Sequence, residues 1–218
     1  MRSFRTAMPP VERFVCRFAA EPPQEGLPHG AWAQTLQAEF LAACLRIDAD
    51  GQEIGEAGEL RFFPDRGWNG RTYVPITSRA TSGLELFGYV SFLPGAGDEG
   101  AEPSDFAASA DFTDETAAAN PEWKIDLCEE VIGTWRGEGG RSAEMTLVWG
   151  VPLISGARVT TAELAGLAVD QCVVVEDRFT LIAPDAYRSD YLDVKLWDGD
   201  GRELASESLY VDDEEEEG

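Results

Sequence analysis

The sequence predicts a β-rich α+β protein: an N-terminal β-α-β-β-β unit over residues 8–93, then a small antiparallel sheet or barrel-like unit over 121–211. Three observations predict it. Short segments in which apolar and polar residues alternate recur along the chain, bounded by Gly, Pro and Asp, which is the pattern of strands with one buried face. One long stretch instead repeats its apolar residues every three or four positions, the period of an amphipathic helix. The chain is 44% hydrophobic and 10% aromatic, enough to build a core. It has 41 acids against 17 bases, a formal charge of −24.

In chain order, Phe14, Cys16 and Phe18 alternate with Arg13, Val15 and Arg17, a strand over 11–18. A turn-rich stretch with Pro22, Pro23, Gly26 and Pro28 follows. Trp32, Leu36, Phe40, Ala43 and Ile47 then mark a helix of about four turns. Asp50-Gly51 signals a tight turn, and strands are expected over 60–63, 71–76 and 84–92. Residues 94–120 shift to Gly, Ala, Ser, Pro and acid, the composition of a linker, with Phe106 and Phe112 able to dock on a neighbour. Trp123, Leu127 and Val131 share a face of a short helix over 122–132. Candidate strands then run over 144–151, 158–164, 171–176, 178–183, 192–197 and 203–211. The turns Asp48-Ala-Asp50-Gly51 and Asp198-Gly-Asp200-Gly201 are alike, but their flanks are not.

The charge is segregated. Residues 80–123 carry nine carboxylates and no Lys or Arg, and eight more carboxylates follow Arg202, ending in the run Asp212 to Glu217. Such a field keeps the molecule dispersed, disfavours direct binding to nucleic acid or to an anionic membrane, and steers basic partners inward. The candidate partner-binding residues are Asp98, Glu99, Glu102, Asp105 and Glu214, Glu215, Glu216, Glu217. Against this background Arg61, Arg66, Trp68 and Arg71 stand out as a possible Arg–aromatic patch; outward Arg on a hairpin, meeting the acidic connector, is the plainer account.

No catalytic or metal motif stands up. Cys16, Cys44, Cys128 and Cys172 are too far apart for a C-x-x-C pair and have apolar neighbours, so they read as buried free thiols in a cytoplasmic protein. His29 is the single histidine, which removes most zinc and triad arrangements. The two Asp-Gly turns lack the oxygen ligands and flanking helices of a calcium loop. No cofactor is expected, and no catalytic or metal residue is assigned.

Gly133-Thr134-Trp135, before a β-rich stretch, resembles the Gly-x-Trp opening of the calycin barrels. The resemblance rests on about eight residues. It implies an apolar ligand cavity with Trp135 as a plug; otherwise Trp135 anchors a small β core. The residues together favour a non-enzymatic protein that binds a basic macromolecule, as an inhibitor or immunity-type protein, an adaptor or a nucleic-acid mimic. The alternative is a small apolar-ligand barrel behind Trp135.

Overall fold

The computed structural model describes residues 30–95, 102–136, 140, 142–187 and 190–209. The expected strand at 11–18, Cys16, His29, Asp98, Glu99 and the tail 212–218 lie outside them.

Helix α1 (Gly30–Cys44) is followed by five strands: β1 (Ala57–Phe62), β2 (Arg66–Trp68), β3 (Arg71–Ala80), β4 (Glu85–Leu93) and β5 (Ser104–Thr113). They form one antiparallel sheet in the order β1-β3-β4-β5, with β2 also paired to β3. β3 gives one edge to two partners in turn: β2 opposes residues 71–73 and β1 opposes residues 76–80. Pro75 falls between them, where its missing N–H removes no ladder bond, while its carbonyl accepts from Phe63 N–H at 3.0 Å.

Seven further strands follow: β6 (Ile125–Arg136), β7 (Ser142–Pro152), β8 (Val159–Leu164), β9 (Leu167–Val173), β10 (Phe179–Asp185), β11 (Leu192–Trp197) and β12 (Glu203–Ser208). They make a three-stranded sheet, β10-β7-β6, and a four-stranded one, β12-β11-β8-β9. All pairings are antiparallel, and none of the three sheets closes on itself. The β-rich expectation holds; the barrel does not form.

The layers follow from strand parity, because alternate residues face opposite sides. On the first sheet Val74, Ile76, Leu86 and Val90 face α1, whose Leu36 and Phe40 are fully buried against them. Tyr73, Phe87 and Tyr89 point the other way, onto Met145, Leu147 and Trp149 of the second sheet. Val148, Phe179, Leu181 and Ala183 of that sheet meet Ala162, Leu164, Val194 and Leu196 of the third. The order is helix, sheet, sheet, sheet, and the first sheet shares a core with the second.

Two expected elements are corrected. The stretch 122–132 is not a helix: after a turn, β6 occupies it from Ile125 onward, paired along β7 from Ile125↔Pro152 to Arg136↔Ser142. The composition of 94–120 hides a strand, since Phe106, Ala108, Ala110 and Phe112 alternate in β5 and pack against the α1-facing core, Phe106 lying 5.7 Å from Phe92 ring to ring. The linker expectation therefore fails for Ser104–Thr113.

The Gly-x-Trp motif has a packing explanation. A Cβ on Gly133 would stand 2.5 Å from Trp68 Cη2, so the bare backbone of β6 is what admits the Trp68 ring. Trp135 is partly buried, packs against both cores of the later strands, and meets Tyr187 edge to face at 5.8 Å. Gly133→Ala is expected to cost about 1–3 kcal/mol through overpacking. Adding Trp68→Leu should recover part of it, which a denaturant double-mutant cycle measures.

Candidate functional site

Where the start of β4 and the end of β5 lie beside the start of β6, a cleft of about 200 Å³ opens. Period two sets its walls. Glu85 and Phe87 project from one face of β4, and Asp126 and Cys128 from one face of β6, with Glu129 and Trp123 at its margin. The cleft thus carries carboxylates and aromatic rings together.

The carboxyls there are pushed towards their neutral forms. Burial raises Glu85, and Asp126 adds to it, against Arg61 and Arg79. Burial raises Asp126 too, against Arg61 alone. Glu129 is pushed up to about 7, by burial first and then by Asp185 and Glu130. Glu130 is raised by burial and by Asp111 on β5, which extends the acidic band along the junction. The Cys128 thiol is held well above its usual value by burial and by three of these carboxylates, which favours the neutral thiol. Burial also lifts Cys44 to about 11 and Cys172 to about 12.

The expected Arg–aromatic patch is not one surface. Arg66 is fully buried and pairs with Asp170 at 2.5 Å, and Trp68 packs on Gly133. Arg71 donates from Nη1 to Asp105 Oδ2 and from Nη2 to the Asp105 carbonyl, each at 2.6 Å. That contact is the meeting of hairpin Arg with the acidic connector that the sequence favours. The Asp105 side chain nevertheless stays 66% exposed. Arg61 lies near Glu85 and Asp126, and Glu102 is exposed. By register the four share the face of the first sheet that turns onto the second, and packing against that second sheet covers Arg66 and Trp68 instead of leaving an open patch.

The Asp-Gly turns use their acids internally. Asp198 Oδ1 accepts from the N–H groups of Asp200 and Arg202 at 2.8 and 2.9 Å, and these bonds lower its pKa. Among the described residues no three His, Cys, Asp or Glu side chains converge to hold a metal ion. None of the described helices is long and apolar enough to cross a membrane.

Sequence reasoning missed Glu85, Phe87, Trp123, Asp126 and Glu129. The signal was present as period-two placement of Asp126 and Cys128, and the helical reading of 122–132 concealed it.

The shifts dictate a pH dependence. A carboxyl whose folded pKa is raised binds its proton more tightly folded than unfolded. Its contribution is most favourable below the unfolded pKa and declines as pH rises through the folded one. For Glu129 that window runs from 4.5 to about 7, and for Asp65, raised by burial, from 3.8 to about 6. The melting temperature is expected to rise by a few degrees between pH 8 and pH 5.5, modestly because solvent screens Glu129, and Glu129→Gln should flatten the rise.

No family model matches the chain, and neither curated proteins nor solved structures match it.

Proposed function

We propose that this is a non-enzymatic interaction protein that binds a basic macromolecular partner through the acidic band of β4, β5 and β6. The observation that carries the reading is the set of raised carboxyls, Glu85, Asp126 and Glu129, around one cleft. Desolvated like charges, only partly offset by Arg61 and Arg79, form a field that a bound cation relieves, and sites with such shifts are candidates for function. The net charge of −24 attracts the same class of partner at long range. An inhibitor or immunity-type protein, an adaptor and a nucleic-acid mimic all fit this chemistry. We place it in the cytoplasm, which keeps thiols such as Cys44, Cys128 and Cys172 reduced.

The two sets of charges are expected to act differently. Neutralising Asp98, Glu99, Glu102, Asp105 and Glu214 to Glu217 should lower the association rate of the native partner several-fold at low salt, leave its dissociation rate nearly unchanged, and lose its effect at high salt. Neutralising Glu85, Asp126 and Glu129 should instead raise the dissociation rate. A partner from the native host, followed by surface-immobilised kinetics over a salt series, tests both. Binding that neither set alters would overturn the reading.

A further inference from the structure

We infer that the cleft between β4 and β6 is the seat of a single arginine side chain of the partner. This rests on the interaction reading above and names the group that enters. Size is the first constraint. A volume of about 200 Å³ falls short of the roughly 300–1,000 Å³ of pockets that enclose a whole small molecule, yet it accommodates one long side chain.

The lining is the second. Glu85 on β4 and Asp126 on β6 face the cleft from different strands of different sheets, with Glu129 beside them, so negative charge surrounds the space from more than one side. Phe87 and Trp123 add aromatic surface, and Leu127 an apolar contact. The half-buried free thiol of Cys128 also lines it. A neutral apolar ligand would leave the carboxylates desolvated and unpaired, which is costly. A metal ion needs several oxygen ligands converging on one point, and no such group exists among the described residues. An extended organic cation meets both demands, because it spreads its donors over separated acceptors and lays its flat face on an aromatic ring.

Arginine fits better than lysine. Its guanidinium carries five donors in a planar fork, is less strongly hydrated, and stacks on aromatic rings, whereas an ammonium is a compact point charge.

The test uses the full chain and three blocked pentapeptides of glycine around one central residue: Arg, Lys, or citrulline, the neutral isostere of Arg. Amide chemical shifts are followed by NMR during titration. The Arg peptide is expected to move the signals of Glu85, Phe87 and residues 123–129, with the Lys peptide weaker and citrulline at least tenfold weaker. Trp123→Leu keeps every carboxylate but removes a ring, and should weaken the Arg peptide several-fold while leaving the circular dichroism spectrum unchanged. Equal binding of Arg and citrulline peptides would overturn the inference. So would an Arg peptide that moves only signals outside the cleft, or whose affinity ignores Trp123→Leu. In those cases loss of the native partner on neutralising Glu85, Asp126 and Glu129 still upholds the interaction reading, and the two failures remain distinct.

Discussion

Asp170→Asn is expected to cost about 3–5 kcal/mol, because it leaves the Arg66 charge in the core without its counter-ion. Arg66 on β2 is 1% exposed, and Asp170 is its only ion-pair partner among the described residues. The same carboxylate accepts from Ile182 N–H at 2.8 Å and so closes part of the outer edge of β10. Burial raises the Asp170 carboxyl, although Arg66 and the backbone N–H bonds pull it down, so desolvation is the larger effect. Asparagine preserves an acceptor for Ile182 and removes only the charge, which isolates the ion pair. Urea unfolding should show a lower midpoint with an unchanged slope, and the melting temperature should fall by about 10 °C for a chain of this size. Combining Arg66→Met with Asp170→Leu should restore most of the loss, since apolar replacement of a whole buried pair is often neutral or stabilising. A loss below about 1 kcal/mol for Asp170→Asn would mean that water reaches the pair.

Trp149→Ala is the second large effect, about 3–5 kcal/mol. Trp149 is fully buried on β7, among Met145, Leu147 and Ile182, and its ring lies 6.5 Å from that of Phe87. It stands where the first and second sheets meet, so its removal opens a cavity between layers. Trp135→Ala should cost less, because Trp135 is only partly buried. Paired chemical denaturation of the two variants checks the order; a larger loss at Trp135 would move the centre of the core towards β6.

Where burial on one face was strong, the elements were legible in the sequence. Leu36 and Phe40 announced α1, alternation marked β4 and β11, and β3, β7, β8 and β10, buried on both faces, showed as short apolar runs between turn residues. β6 was misread for a geometric reason. Trp123, Leu127 and Val131 are four apart, and a spacing of four suits both a helix near 3.6 and a strand of period two. β5 escaped because only Phe106 and Phe112 of its four core-facing residues are large, and the alanines between them are lost among the surrounding Gly, Ser and acid. β2, with three residues, is too short for any period. The cleft was harder still. Glu85 and Asp126 belong to different sheets, and their approach comes from layer stacking, which no local pattern encodes.

The chain leaves the third sheet after β9, lays β10 against β7 in the second, and returns to the third as β11, between β8 and β12. During synthesis β10 can therefore find its partner at once, whereas β8 waits for β11 with one edge unpaired. An open edge is a template for another chain. The interval between the emergence of residues 164 and 192 is accordingly when a nascent molecule is most exposed to joining its neighbour, and a product stopped before Leu192 would carry that edge permanently.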